Sequence, residues 1–461
     1  MKSRMNAEIS SGLLMPLAQQ IVDARFENFS SAAQHYASVC LLDFLSCAFA
    51  AVPQSWSEQA RSIARSTPQG AQIIGAKGEY DLADAMFANA VAGHGLVRED
   101  MHVGSVTHLG VVVWPMVLAL GSQFPISGKQ ALEAAIAGYE VGACLGRHCI
   151  SSATARIFRP TGLLGPMAAV ATGAKLLNLS VEQTVTALAL AANCAGGLNQ
   201  WGHTGGDEMY FHPGFALRNA WQCLMLARAG AHASGSVLEG DSGFFHAYAK
   251  QTAPTSLSLF KQAGQEEILQ VFHKVVPACN FAQTPCQAAL QALRKAPGNS
   301  ASIRAVRVAV TAAAAAYPGC SVKGPFLRTL QAKMSIYFGV AATLAHGCIE
   351  QSIYEQLDHP EILRLIDVMQ IDEDPAFTAA YPARQGAQVT LVMSNGQTVV
   401  AQLDQVQAAD ETLIRQRFQT AASAQIGSVQ AQQLEQFVDD LEHKQEMKVL
   451  GRLVASAPDS H

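Results

Sequence analysis

Apolar residues recur at helical spacing through roughly the first 270 positions of the chain. Asp81 to Ala92 combines good helix formers with apolar residues three and four apart, which predicts a helix. Ser180 and Gln183 have the spacing of a capping box, and they predict the start of a helix that runs through Ala192. This part of the chain is therefore expected to be a succession of helices.

Prolines and glycines further predict where these helices begin, end and pack. Pro166 and Pro213 are each expected in the first turn of a helix, where proline is tolerated, and Gly230 is expected to end the second helix. Glycines spaced four apart in Gly138 to Gly146 could suggest a dinucleotide-binding loop, but that fingerprint is G-x-G-x-x-G after a strand. Close packing between helices explains the spacing better.

The pattern changes after about residue 270. Residues 303 to 310 alternate like a half-buried strand, and residues 388 to 401 predict a hairpin around Asn395-Gly396. Between them, Leu327 to Gly347 predicts a helix. The expected fold is therefore mainly α, with a large all-helical domain (1–271 together with 408–461) and an inserted smaller α+β lid domain (272–407).

Composition narrows the class of protein. The 461 residues are 49% hydrophobic and only 15% charged, which suggests large buried helices and a large subunit interface. No uncharged apolar run is long enough to cross a bilayer, and Met1 to Glu8 does not resemble a secretion signal. Ten cysteines without paired spacing favour a reducing cytoplasm, and a net charge of −5 without a basic cluster argues against nucleic acid as a partner.

Proton-transfer groups are concentrated in one short segment. His94, His102 and His108 lie within fifteen residues, together with the acid pair Glu99-Asp100. Because His102 and His108 are six apart with a glycine between them, they cannot share a helix face, but they could converge on a ligand from a loop. A histidine with a neighbouring carboxylate commonly acts as a general acid or base in catalysis. A purely structural turn is the alternative.

A metal site is the chemical rival to this interpretation. Four residues of the segment could supply three nitrogens and one oxygen to zinc or iron: His94, Asp100, His102 and His108. There is no His-Glu-x-x-His and no Cys-x-x-Cys in the chain, so a scattered set of this kind is a weak ligand signature. The sequence favours metal-independent chemistry.

A series of motifs in the chain resembles those of a known family. They are His94-Gly-Leu with the acid pair before His102 and then His108-Leu-Gly, Arg159-Pro-Thr-Gly-Leu-Leu-Gly-Pro, His212-Pro-Gly-Phe-Ala-Leu-Arg-Asn, Val237-Leu-Glu-Gly-Asp-Ser-Gly-Phe-Phe, Lys274-Val-Val-Pro-Ala-Cys and Ala332-Lys-Met-Ser. In this order they are similar to the motifs of the MmgE/PrpD family, which includes 2-methylcitrate dehydratases, cis-aconitate decarboxylases and iminodisuccinate epimerases.

The resemblance implies a homodimer with an active site in the cleft between the helical domain and the lid. It further implies a small di- or tricarboxylate substrate, no cofactor, and removal or movement of a proton next to a carboxylate. By the resemblance, the residues that carry the chemistry are Asp100, His102, His108 and Lys274.

Several positions depart from the family's pattern. In the first motif, Val97 replaces the leading aspartate and Met101 replaces the threonine. Arg159 replaces the histidine of His-Pro-Thr, Met209 replaces a lysine, and Gln283 replaces a histidine that follows the Pro-x-Cys cysteine. These changes prevent a direct transfer of 2-methylcitrate dehydration or cis-aconitate decarboxylation to this chain.

Other polar residues are candidates for substrate binding. Arg159, at the start of a predicted helix, offers a fork suited to a carboxylate, although it could instead pair with an acid such as Glu140 or Asp207. His203, Tyr210 and His212 are further candidates, with a surface loop position as the alternative for His203 and helix capping for His212.

The sequence therefore predicts a cofactor-independent, dehydratase-like lyase acting on a small carboxylated substrate. An epimerase or isomerase of a carboxylated compound is the second possibility, because return of the abstracted proton on the opposite face would give that outcome. A degenerate dimer that binds a metabolite without turnover is the third.

Overall fold

The fold is mainly α, as the computed structural model of residues 12–260 and 262–456 shows. The sequence interpretation of Met1 to Glu8 lies outside these described residues. The helices and strands before residue 275 are α1 Leu14–Asp23, α2 Ser31–Ala51, α3 Ser55–Ser62, β1 Ser66–Ala71, α4 Leu82–His94, β2 Met101–His102, α5 Gly110–Gln123, α6 Gly128–Cys149, α7 Ser152–Ile157, α8 Pro160–Leu176, α9 Val181–Asn193, α10 Trp201–Thr204, α11 Glu208–Arg228 and β3 Val271–Phe272.

The remaining elements include all four strands of the larger sheet. They are α12 Gln283–Lys295, β4 Ile303–Val310, α13 Ala312–Ala316, α14 Thr329–Met334, α15 Ile336–His346, α16 Pro360–Asp367, β5 Met369–Glu373, α17 Pro375–Ala380, β6 Ala387–Met393, β7 Thr398–Leu403, α18 Glu411–Ile426, α19 Ser428–Asp439 and α20 Lys448–Val454. The strand order is β5-β4-β6-β7, with β4 and β5 parallel and the other two pairs antiparallel.

Several predicted elements are confirmed. The capping box of Ser180 and Gln183 opens α9, the strand 303–310 is β4, and the predicted hairpin forms β6 and β7 with Gly396 at positive φ in its turn. The glycine stripe of α6 is a packing surface, because a Cβ at Gly142 would meet Leu109 and Ala168 of neighbouring segments.

Other predictions about the elements are wrong. Pro166 and Pro213 lie inside α8 and α11, which begin at Pro160 and Glu208. The single helix predicted over 327–347 is two helices separated at Ser335, which has an extended backbone and caps α15. The N-terminal part also contains strand β1 among its helices.

The C-terminal helices pack against the N-terminal ones. Helix α18 lies on α2, and α20 lies on α5, so the chain returns to the helical layer after its four-stranded sheet. Arg417 of α18 also donates hydrogen bonds to the backbone carbonyls of Lys274 and Val275, at 2.9 and 2.8 Å. These contacts are compatible with an inserted 272–407 segment, whose boundaries stay a prediction.

No single helix of the described residues has the length and apolar character needed to cross a membrane. The pair α2 and α3 would satisfy both criteria only as a combined segment, and the two helices are bent by 91° relative to each other.

Candidate active site

The histidine-rich segment forms an irregular buried connection between α4 and α5. His94 is the last residue of α4, and Gly110 is the first of α5. Two β-branched residues of the connection, Val97 and Val106, have positive φ angles of 57° and 54°. Such conformations are strained for valine and persist only where the surroundings hold them, which is common at functional sites.

Glu99 is the carboxylate at the centre of this segment. Its Oε1 lies 2.7 Å from His94 Nδ1, 3.1 Å from His108 Nδ1 and 4.0 Å from Lys274 Nζ. Burial alone would raise the pKa of Glu99, but the positive charge of Lys274 and the hydrogen bond from the imidazole of His94 outweigh burial and lower it. Glu99 is therefore an anion, and its Oε2 is buried without a hydrogen-bond partner among the described residues.

The hydrogen bonds of His108 leave one ring nitrogen free to accept a proton. Nδ1 lies 2.7 Å from the carbonyl oxygen of Asp100, which can only accept, so Nδ1 carries the proton. Burial and the nearby Lys274 lower the pKa of His108 well below its usual range, so the ring is neutral at neutral pH. In this tautomer Nε2 carries a lone pair, as a general base requires.

His94 is held in the same tautomer by different partners. Its Nε2 lies 3.1 Å from Arg159 Nη2, which can only donate, so Nδ1 carries the proton that is shared with Glu99. Burial lowers the pKa of His94. The residue thus links Glu99 to Arg159 and fixes the orientation of the guanidinium group.

Two cations lie around one small chamber beside these groups. Arg159 is the residue before α8, and Lys274 follows β3; both are buried. The ammonium group of Lys274 donates to the carbonyl oxygen of Val97 at 2.6 Å, and burial lowers its pKa. The guanidinium Nε of Arg159 has no hydrogen-bond partner among the described residues.

The chamber is small, with a volume of only about 20 Å³, close to the space of a single water molecule. Its polar lining residues are His108, Arg159, Lys274, Cys279, Asn280 and Tyr317. Burial raises the pKa of Tyr317 to about 12, so its hydroxyl keeps its proton at neutral pH. Cys279 Sγ lies 3.7 Å from Cys320 Sγ, and this contact lowers the pKa of Cys279.

The departures from the family's pattern fall around the same chamber. Val97, Met101 and Met209 give it apolar walls, and the sulfur of Met209 lies 3.9 Å from Arg159 Nη2. Gln283 is not among the lining residues; its amide bonds both the amide and the carbonyl of Val276, which holds the turn after Lys274.

The structure does not bring Asp100 and His102 to the chamber. The Asp100 carboxylate accepts hydrogen bonds from the backbone N–H of Gly110 and from the hydroxyl of Tyr139, so it caps α5. Burial raises its pKa to about 6. His102 Nε2 lies 3.1 Å from Glu267, which is also bound by Arg147.

Strand geometry explains this division. Met101 and His102 pair with Phe272 and Val271, and successive side chains of an extended segment point to opposite sides. Met101 therefore lines the chamber, whereas His102 points away from it towards Glu267.

The other predicted binding residues do not line the chamber. His203 is exposed on α10, and Tyr210 is buried with its ring stacked on Trp56 at 3.9 Å. His212 lies inside α11 rather than at a cap, close to Arg159, and burial lowers its pKa to about 3. Arg159 forms its contacts with His94 and Met209 and not with Glu140 or Asp207.

The four proposed metal ligands do not converge. His94 and His108 meet at Glu99, while Asp100 and His102 bond to other partners. Within the described ranges, no group of three or more His, Cys, Asp or Glu residues is arranged to hold a metal ion.

Comparison with known proteins identifies the same family that the sequence motifs resemble. The models for the MmgE/PrpD N-terminal domain and the MmgE/PrpD C-terminal domain match residues 16–256 and 276–443. The chain belongs to the MmgE/PrpD family. This chain is similar to the cis-aconitate decarboxylase-like protein oryM of Aspergillus oryzae (strain ATCC 42149 / RIB 40). The two are 25% identical over 446 residues, which cover 90% of this chain and 91% of the relative.

Proposed function

We propose that this MmgE/PrpD family member is a cofactor-independent lyase that removes a proton next to a carboxylate of a small di- or tricarboxylate. The observation that carries the proposal is the composition of the chamber: two buried cations and a neutral imidazole with a free nitrogen surround one small space. Buried charges need partners. Glu99 neutralises only one of the two cations, so the chamber favours an anionic ligand.

In this reaction His108 Nε2 takes the proton from the carbon next to the carboxylate. The electron pair of the broken C–H bond moves into the carboxylate, which becomes an enolate with two negative oxygens. Arg159 and Lys274 supply the positive charge that such an intermediate requires, and electrostatic stabilisation of this kind is usually the largest contribution to catalysis. Glu99 and His94 are positioning residues, because they orient the two histidine rings and the guanidinium group.

Elimination also needs an acid for the leaving group. Tyr317 and Lys274 both line the chamber and both carry a proton that could pass to a departing hydroxyl, which leaves as water. Return of a proton to the opposite face of the carbon would instead give an epimerase. Lys274 supports this second candidate, because burial lowers its pKa and so eases its use as a second base.

The chamber must enlarge to admit a substrate. A volume of about 20 Å³ holds no dicarboxylate. Its walls come from the connection after α4, from Arg159, Trp201 and Met209, and from residues between Lys274 and Met334, so movement of the last group away from the others would open it. We propose that the structure represents the closed arrangement, which excludes water from the charged groups.

Proton NMR in D₂O tests the proposal directly. The protein is incubated with 2-methylcitrate, citrate, cis-aconitate, iminodisuccinate and related hydroxy- or amino-diacids, and both new products and loss of the α-proton signal are followed. A new alkene with loss of water establishes a lyase, and α-proton exchange with inversion establishes the epimerase. Release of carbon dioxide would indicate the reaction named for the Aspergillus relative. Tight binding without exchange or product on any compound would contradict the proposal and favour a binding protein.

A further inference from the structure

A second cavity lies against the chamber. It has a volume of about 570 Å³, and we call it the vestibule. Val106, Phe281 and Tyr317 line both the chamber and the vestibule, so these three side chains are the partition between them. A volume of this size lies within the range of typical small-molecule sites. Any group attached to a ligand in the chamber on this side would extend into the vestibule.

The walls of the vestibule are mainly apolar. Ile150 and Ala155 lie on one side, and Ala313 and Ala316 of α13 lie on the other. The aromatic ring of Phe281 packs 5.2 Å from Tyr317 and 5.9 Å from Tyr381, measured between ring centroids. Arg156 is the one charged residue among the lining residues, and it is exposed. The interior therefore favours methylene groups over further carboxylates.

The chamber itself is apolar on part of its wall. Val97, Met101 and Met209 line it beside Arg159 and Lys274, whose charges are sufficient for one carboxylated head group. The buried cations thus lie in the chamber, and mainly apolar surface continues from it past Phe281 into the vestibule.

From this arrangement we infer that the substrate carries an apolar substituent of several carbons, which occupies the vestibule while its carboxylates bind Arg159 and Lys274 in the chamber. The inference rests on the proposed function and adds the substrate class. Burial of each methylene group is worth roughly a two- to fourfold gain in affinity. The vestibule should accordingly select alkyl-substituted diacids over unsubstituted ones.

The test measures binding of succinate and of its 2-methyl, 2-propyl, 2-pentyl and 2-heptyl derivatives to the full chain by calorimetry. The dissociation constant is expected to fall roughly two- to fourfold for each added methylene group. A matched pair of variants identifies where the alkyl group binds. Ala316→Phe fills the vestibule from α13, whereas Ala153→Phe changes an exposed alanine of α7 that does not line it.

Ala316→Phe should remove the dependence on chain length and leave succinate binding unchanged, and Ala153→Phe should preserve the whole series. A dissociation constant that stays constant from succinate to heptylsuccinate overturns the inference. So does a chain-length effect that persists in Ala316→Phe. A flat series together with loss of an oligomer in Ala316→Phe would assign this surface to contact between two copies of the chain.

The experiment separates this inference from the proposed function. If succinate binds and diacids exchange their α-protons, but alkyl groups add nothing, only the substrate class is wrong. If neither succinate nor any alkylsuccinate binds and no compound exchanges, the proposed function itself fails.

Discussion

At the scale of single residues, Glu99 is more central to the site than the aspartate beside it. Its carboxylate lies within 4.0 Å of three basic side chains, while Asp100 caps a helix. The sequence identifies the acid pair and His108, but it does not reveal which acid faces the site. The alternation of Met101 and His102 in β2 is the usable signal. It was hidden because the paired strand is only two residues long and its partner lies 170 residues away.

The pH dependence of activity tests the role of Lys274. Burial lowers the pKa of this ammonium group, so it loses its charge at a pH below its usual 10.5. We expect kcat/KM to fall on the alkaline side as this proton is lost, and we expect Lys274→Arg to move the alkaline limb upwards because arginine stays charged.

Lys333 provides the control for this profile. It is also buried, its pKa is lowered to about 7, and its Nζ donates to the carbonyl oxygen of Leu96 rather than lining the chamber. If the alkaline limb moves in Lys333→Arg and stays in place in Lys274→Arg, the titrating group is Lys333, and our assignment to Lys274 is wrong.

At the scale of elements, packing decides what local sequence signals cannot. Pro166 and Pro213 lie inside α8 and α11, two helices that pack against each other and against α6 or α4. Burial along these faces outweighs the local cost of proline, so the predicted helix starts were displaced. Conversely, the helix breaks at Ser335 because the side chain of Ser335 caps α15. A single capping residue is a weak sequence signal within a long helical pattern, so the sequence did not predict this break.

Asp100→Ala tests the capping role of Asp100. The substitution leaves the Tyr139 hydroxyl and the Gly110 N–H without their acceptor, so we expect the free energy of unfolding to fall by about 1–3 kcal/mol in urea titrations. Asp410→Ala, at the cap of α18, is the control and should cost about 1 kcal/mol without loss of turnover.

The effect of Asp100→Ala should also depend on pH. The folded-state pKa of Asp100 is about 6, above its ordinary value of 3.8, so the carboxyl group contributes most stability when protonated. The difference between wild type and Asp100→Ala should therefore grow as pH falls through 6 towards 3.8. Turnover lost with stability unchanged would make Asp100 a catalytic residue after all.

At the scale of the whole molecule, the sequence predicts the layer of helices and the sheet of the 272–407 segment. It could not show how far the site is closed. The chamber depends on Tyr317 and Phe281 meeting Val106 from a distant part of the chain, which no local pattern encodes.

We propose that the protein is a homodimer. Helix α11 leaves Phe215 and Leu226 about half exposed, at 51% and 48%, which is the kind of apolar surface that subunit interfaces cover. Light scattering should give twice the chain mass of 48.9 kDa. Phe215→Glu should weaken the dimer, whereas Val400→Glu on β7, similarly exposed at 47%, should not. A monomer at micromolar concentration would contradict this expectation.

The central claim is that His108 removes the proton next to a substrate carboxylate. It is tested most directly by the rate of α-proton exchange in D₂O for the best compound of the NMR panel, with wild type, His108→Ala and the exposed control His232→Ala. The account predicts a loss of at least about 100-fold in His108→Ala, with circular dichroism unchanged and wild-type exchange in His232→Ala. Exchange at the wild-type rate in a folded His108→Ala protein would contradict it.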